Sequence, residues 1–130
     1  MLNTETRRKL RELNLEEMIQ LIDQQEKHAH TMHLTFEERF ETIVDHVHQE
    51  KYNKKIHGLI RRAKFRIPNA DVTGMYFEER KINRQLFQEL STCHFIENNM
   101  NVIFAGFTGS GKTYCACALG KEASKLSIRT

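Results

Sequence analysis

The sequence predicts an α/β protein, in which an all-helical N-terminal domain precedes the first strand, loop and helix of a phosphate-loop domain. Three observations lead to this fold class. Apolar residues recur at helical spacing through most of the chain before residue 100. The apolar run Val102–Phe104 is typical of a buried strand. The segment Gly106–Thr113 follows directly and has the G-x-x-x-x-G-K-[ST] spacing of a phosphate-binding loop.

The residue types of this loop indicate binding of ATP and Mg²⁺. Gly106, Gly109 and Gly111 permit backbone conformations closed to other residues, so that successive N–H groups can point at phosphate oxygens. The helix that follows adds unpaired N–H groups and the positive end of its dipole. We expect Lys112 to reach the β- and γ-phosphates and the Thr113 hydroxyl to bind Mg²⁺; the alternative is a glycine-rich turn with a solvated Lys112. The nucleotide-binding set is Gly106, Phe107, Thr108, Gly109, Ser110, Gly111, Lys112 and Thr113.

Composition and length indicate a cytoplasmic protein without a membrane partner. The 130 residues suggest one domain or two small ones, and 28% of them are charged. The three cysteines lack the spacing of a disulfide framework and are typical of a reduced protein. No apolar run approaches membrane-spanning length, and the N-terminus does not have the features of a signal peptide.

Helical periodicity and capping signals divide the N-terminal part of the chain. Apolar spacing predicts helix over residues 4–30, with a break at Leu13–Leu15. Thr35 and Glu38 have the spacing of a capping box, which predicts the start of the next helix. We expect this helix to break near residues 49–52 and then to resume. Its predicted core stripe is Phe36, Phe40, Ile43, Val44 and Val47.

A linker is predicted where the helical pattern stops. Pro68 disfavours helix at the residue before it, and the residues up to Gly74 have the composition of a loop. For Tyr76 and Phe77 we favour packing over contact with a purine base. A further helix is predicted over residues 82–97. The predicted domains are therefore a helical domain over residues 1–67, a linker over 68–74 and the start of the phosphate-loop domain over 75–130.

The segment Lys51–Arg66 has seven Lys or Arg residues and no Asp or Glu. A helix with charges of one sign repels itself, and an acidic partner offsets the repulsion. The backbone of double-stranded DNA is such a partner and is bound largely independently of sequence. The alternative is a solvated or protein-facing surface. The candidate DNA-binding residues are Lys54, Lys55, Arg61, Arg62 and Lys64.

A series of short segments in a fixed order is more specific than the loop alone. With these segments the chain resembles the N-terminal half of IstB-like ATP-binding proteins, the helper ATPases of insertion-sequence transposition. These are relatives of the DnaC-type helicase loaders in the AAA+ class. The segments are Leu13–Met18, Leu34–Arg39, Arg61–Phe65, Thr92–Glu97, Gly106–Thr113 and Ala116–Gly120.

The resemblance implies a helical domain for assembly and DNA engagement, followed by a truncated AAA+ P-loop ATPase domain. It also implies a homo-oligomer that assembles on DNA with ATP and presents target DNA to a transposase. The sequence departs from the family pattern at Phe107 and at Tyr114–Cys115, outside the phosphate-binding chemistry. By resemblance, the nucleotide role falls on Gly106, Gly109, Gly111, Lys112 and Thr113, and the basic role more loosely on Arg61, Arg62 and Lys64.

The elements of such a domain that hydrolyse ATP are expected beyond Thr130. Within the sequence, the loop is followed by no Walker B strand, sensor residues or arginine finger. We therefore expect the chain to be the front portion of a longer protein, and we assign no catalytic residue. Three alternatives stay open. They are a replicative helicase loader of the DnaC type, a small-molecule phosphoryl transferase, and a non-functional gene fragment.

We predict that the 130-residue chain does not turn over ATP. Hydrolysis requires charge neutralisation around the γ-phosphate and an oriented water, and only the binding loop is present. Phosphate release by the purified chain is the measurement, with Lys112→Ala as the background control. Sustained release that disappears in Lys112→Ala would contradict the prediction.

Overall fold

The computed structural model describes all residues, Met1–Thr130, and its regular elements are entirely helical. The chain divides into two compact units, Met1–Lys54 and Lys55–Thr130. None of the helices is both long enough and apolar enough to cross a membrane. The α-helices are α1 (Thr4–Glu12), α2 (Glu16–Lys27), α3 (Phe36–Ala63), α4 (Arg84–Ser91), α5 (His94–Glu97) and α6 (Lys112–Lys125), with short 3₁₀ helices at Ala29–His33 and Val72–Gly74.

The prediction of an α/β fold is wrong, because the structure contains no β-strand. Residues 101–107 form no regular element. Val102 and Phe104 pack against the core while Ile103 is 88% exposed, which is the alternation of an extended backbone. A strand also requires hydrogen bonds to a neighbouring strand, and no segment of this chain supplies them. The apolar run therefore predicted burial only in part, at Val102 and Phe104, and predicted strand pairing incorrectly.

In the first unit, α1 and α2 are joined by an ion pair. The Asn3 side chain accepts a hydrogen bond from the Thr6 N–H and caps α1. The predicted break at Leu13–Leu15 is confirmed, and Asn14 adopts a left-handed backbone there (φ 58°). The Arg7 guanidinium donates two hydrogen bonds, of 2.9 and 2.6 Å, to the Asp23 carboxylate. These bonds lower the pKa of Asp23 below its usual range.

The capping box at the start of α3 is confirmed. The Thr35 N–H donates to the Glu38 carboxylate at 2.9 Å, and the Glu38 N–H donates to the Thr35 hydroxyl at 3.2 Å. The predicted break near residues 49–52 is wrong, since α3 is continuous and those positions contain neither Gly nor Pro to interrupt it.

The apolar stripe of α3 is only partly a core stripe. Ile43 and Val47 are buried, at 5% and 8% exposure. Phe36 is 70% exposed, and Phe40 and Val44 are nearly half exposed. Helical spacing predicted the common face of these residues, but what covers a face depends on neighbouring elements.

The core of the second unit is built around α6. The helix predicted over residues 82–97 is in fact two helices, because Cys93 is left-handed (φ 61°) and ends the first one. This turn buries Cys93 and lets Phe95 pack on the core. The buried core residues are Ala70, Met75, Phe77, Phe87, Cys115, Cys117, Ala118 and Leu119.

Helix α6 also fixes the segment that follows α3. The Tyr114 hydroxyl donates to the Asp71 carbonyl at 3.1 Å and accepts from the Asp71 N–H at 3.2 Å. Lys121 donates to the Pro68 carbonyl at 3.0 Å. The Phe65 ring lies on Gly120 so closely that an added Cβ would stand 2.6 Å from Cε1. The beginning and the middle of α6 are thereby tied to residues 65–71.

Two helical glycines are expected to respond oppositely to replacement by alanine. Gly120→Ala should lower the free energy of unfolding by about 1–2 kcal/mol, because overpacking against Phe65 outweighs the gain in helix propensity. Gly58→Ala is the matched control, since its Cβ would meet only the flexible end of Arg62 at 3.3 Å. It should stabilise by about 0.5–1 kcal/mol. Urea denaturation measures both, and a Gly120→Ala chain at least as stable as the wild type would contradict the packing.

Candidate functional site

The predicted phosphate-binding residues form a tight turn that leads into α6. The Ser110 N–H donates to the Phe107 carbonyl at 3.1 Å and closes the turn. Gly109 and Gly111 have φ values of 81° and 93°, which are accessible at low cost only to glycine. Gly111 precedes the first residue of α6, and no side chain caps this helix end. The first N–H groups of α6 therefore face the loop together with the positive end of the helix dipole.

Lys112 folds back over the loop. Its ammonium donates to the Gly106 carbonyl at 2.6 Å, across the turn. At Gly106 an added Cβ would stand 2.8 Å from the Ser110 hydroxyl oxygen, so a larger residue there would require the Ser110 side chain to move.

The remaining loop residues are open to solvent. Phe107 is 88% exposed, and Thr108 and Thr113 are also exposed. Thr113 is the second residue of α6. No three His, Cys, Asp or Glu side chains lie together in a way that could hold a metal ion.

Arg80 is a residue at the loop that the motif did not indicate. Its Nη1 donates to the Gly109 carbonyl at 3.2 Å, although the two residues are 29 positions apart. Its neighbours in sequence, two Glu before it and one Lys after it, form an ordinary charged segment and gave no signal that Arg80 would lie at the loop. Only the path of the chain between Met75 and Asn83 brings the guanidinium to the turn.

Two cavities meet at the loop. One, of about 180 Å³, lies between the start of α6 and the preceding segment, and its largely apolar lining includes Met75, Tyr76, Ile82 and Tyr114. The other is a groove of about 580 Å³ that runs along residues 101–107 and contains Lys112. The residues that line both cavities are Arg80, Ile82, Ser110, Gly111 and Cys115. Of the two aromatic residues considered for base contact, Tyr76 lines the small cavity and Phe77 is buried in the core.

The predicted DNA-binding residues differ in how they are engaged. In the second unit, Lys55, Arg61, Arg62 and Lys64 are exposed and form no ion pair within the chain. In the first unit, the Lys54 ammonium lies 2.5 Å from the Glu17 carboxylate. This hydrogen bond lowers the pKa of Glu17 and raises that of Lys54, so both groups are charged at neutral pH.

The loop is a tight turn that leads into an uncapped helix N-terminus, a place where backbone N–H groups are free to bind an anion. Comparison with known families gives a more specific result. The family model described as IstB-like ATP binding protein matches residues 8–130, and the chain belongs to this family.

Several curated relatives come from bacterial insertion sequences. A predicted ATP-binding protein of insertion sequence IS1162 from Pseudomonas fluorescens is 28% identical over the whole chain and 59% of its own length. The predicted insertion sequence ATP-binding protein y4pL from Sinorhizobium fredii is 33% identical over 58% of the chain and 31% of its own length. A predicted ATP-binding protein of IS5376 from Geobacillus stearothermophilus is 26% identical over 80% of the chain and 41% of its own length.

The chain therefore spans at most 59% of the length of these three relatives. No solved structure matches the chain.

Proposed function

We propose that this chain binds ATP with Mg²⁺ through a Walker A loop at Gly106–Thr113 and acts in insertion-sequence transposition. In this role it engages double-stranded DNA and, as part of a homo-oligomer, presents or remodels target DNA for a transposase. The observation that carries the proposal is the turn at the N-terminus of α6, with Lys112 folded over it, in a member of the IstB-like family. The names of the relatives, which join ATP binding to insertion sequences, support the same role.

The residues of the loop suit a polyphosphate ligand. A triphosphate requires many donors and positive potential within a small volume. The uncapped N-terminus of α6 supplies N–H groups, and the left-handed Gly109 and Gly111 shape the backbone around them. The Lys112 ammonium is bound to a neutral carbonyl of the loop itself, which a phosphate oxygen would replace with a stronger, charge-assisted partner.

Thr113 is the residue proposed to hold Mg²⁺. Its hydroxyl is exposed in the first turn of α6, next to Lys112, and hydroxyl and phosphate oxygens are hard ligands of the kind that Mg²⁺ prefers. Mg²⁺ would neutralise phosphate charge at the loop.

The exposed cations at the end of α3 are proposed to contact the DNA backbone. Arg61, Arg62 and Lys64 lie together within four residues, unpaired with any carboxylate, so phosphate contact does not require the loss of an internal ion pair. Lys54 differs, because a DNA phosphate would have to compete with Glu17 for its ammonium.

Replacing Lys112 tests the nucleotide site. Lys112→Ala should weaken binding of Mg-ATP by about 10- to 100-fold, since it removes a charged hydrogen-bond donor from the phosphates. Isothermal titration calorimetry with the full chain measures the effect. Lys27→Ala, an exposed position in α2, is the matched control and should bind as the wild type does. Equal affinity of Lys112→Ala and wild type, or no ATP binding by the wild type, would refute the proposal.

Replacing Arg61, Arg62 and Lys64 together by Gln tests the DNA contact. Non-specific duplex binding should weaken, and the slope of log K against log salt should become shallower by about 2–3, because three phosphate contacts no longer release counterions. A triple variant with the same charge change elsewhere, Lys27→Gln, Lys81→Gln and Arg129→Gln, is the control. If both triple variants change the slope equally, the effect is one of net charge and the assignment is wrong.

The same titration separates Lys54 from the other cations. Glu17→Gln keeps the shape of the side chain and removes the negative charge that binds Lys54. A steeper salt slope in this variant is the expected result if Lys54 reaches DNA. An unchanged slope would remove Lys54 from the candidate set.

A further inference from the structure

The position of Arg80 has a consequence beyond the Walker A loop. Arg80 is exposed, and its single side-chain hydrogen bond goes to the Gly109 carbonyl at the tip of the turn. An added Cβ at Gly111 would stand 3.7 Å from the same Nη1 atom. The guanidinium thus lies against the two left-handed glycines of the loop, and most of its five N–H donors point to no protein acceptor.

The charge of Arg80 is uncompensated at this place. Glu78 and Glu79 are its neighbours in sequence, but neither forms an ion pair with it. The guanidinium instead lies near the positive end of the α6 dipole, and its field opposes the rise in the pKa of the Cys115 thiol that burial causes. The positive potentials of the guanidinium and of the helix end add together, which favours binding of an anion between them.

The two cavities indicate which part of a nucleotide Arg80 would meet. The small cavity has an apolar lining with two tyrosines, Tyr76 and Tyr114, a lining that suits the flat face of a base. The groove on the other side contains Lys112, where the terminal phosphates would lie. Arg80 lines both, so it stands at the junction of the nucleoside and the phosphate chain.

We propose that Arg80 is a second cationic residue of the nucleotide site and binds the phosphate next to the nucleoside. The inference rests on the proposed ATP binding at the loop and extends it to a residue outside the motif. On ligand binding, the guanidinium exchanges or shares its bond to the neutral Gly109 carbonyl with a phosphate oxygen, a charge-assisted and stronger acceptor. ATP and ADP both carry that phosphate, so the contact should support binding of both nucleotides.

A purely structural role makes a different prediction. If Arg80 only braces the loop through the Gly109 carbonyl, its replacement should lower the thermal stability of the chain without nucleotide as well as the affinity for nucleotide. A residue that binds phosphate should lose affinity without a comparable loss of stability. Lys keeps the charge of Arg80 without its planar fork, whereas Gln is shorter and uncharged. Affinity and stability without nucleotide, measured for both Arg80→Gln and Arg80→Lys, therefore separate phosphate binding from bracing.

Calorimetric titration of the full chain with Mg-ATP and Mg-ADP tests the proposal. Arg80→Ala and Arg80→Gln should each weaken the binding of both nucleotides by about tenfold. Arg80→Lys should bind both nucleotides at least threefold more tightly than Arg80→Gln does. Arg129→Gln, an exposed arginine away from the loop, is the control and should bind as the wild type does. Thermal unfolding of each variant without nucleotide reports any loss of stability separately.

Four outcomes would overturn the inference. They are Arg80→Gln binding as the wild type does, Arg80→Lys binding as weakly as Arg80→Gln, an effect confined to ATP, or a loss of stability without nucleotide in Arg80→Gln that accounts for its loss of affinity. Each of these leaves the proposed function intact when Lys112→Ala still weakens the binding of Mg-ATP. Failure of the proposed function has another signature, because the wild type and Lys112→Ala would then bind nucleotide equally or not at all.

Discussion

The packing of α6 against residues 65–77 is the constraint on which the candidate site depends. Ala118 and Ser124 have no exposed surface, and Gly120 has room only for hydrogen beneath the Phe65 ring. The loop is the N-terminal extension of this helix, so its direction is set by the burial of α6. A helix anchored along its length can present its first N–H groups to a ligand without reorganising, which lowers the cost of binding.

The second property of the site is the kind of hydrogen-bond acceptor that its cationic side chains bind. Lys112 and Arg80 both donate to carbonyl groups of the turn, at Gly106 and Gly109, and neither is neutralised by a carboxylate. Carbonyl partners orient the two side chains but cost little to exchange for phosphate. By contrast, Lys54 is bound to the Glu17 carboxylate, and a new anion would have to displace a charge. The difference in partner explains why the loop cations are better candidates for ligand binding than Lys54.

Two features that depend on neighbours in sequence were predicted correctly. The capping box of Thr35 and Glu38 and the break at Leu13–Leu15 follow from short-range hydrogen bonding and backbone preference, and both are present. Features that depend on a distant partner were not predicted correctly. The run Val102–Phe104 has the composition of a strand, but pairing needs a second segment, and Cys93 divides a helix that periodicity alone continues.

The sequence by itself determined the family to which the chain belongs and predicted the chemistry of the loop, because both depend on residue types at fixed short spacings. Gly106, Gly111 and Lys112 are such residues, and their proposed roles follow from steric freedom and charge. Only the tertiary structure decided that Arg80 lies on the turn, that Glu17 binds Lys54, and that Phe36 is exposed while Ile43 is buried. Each of these depends on which distant segments meet, and local periodicity contains no information about that.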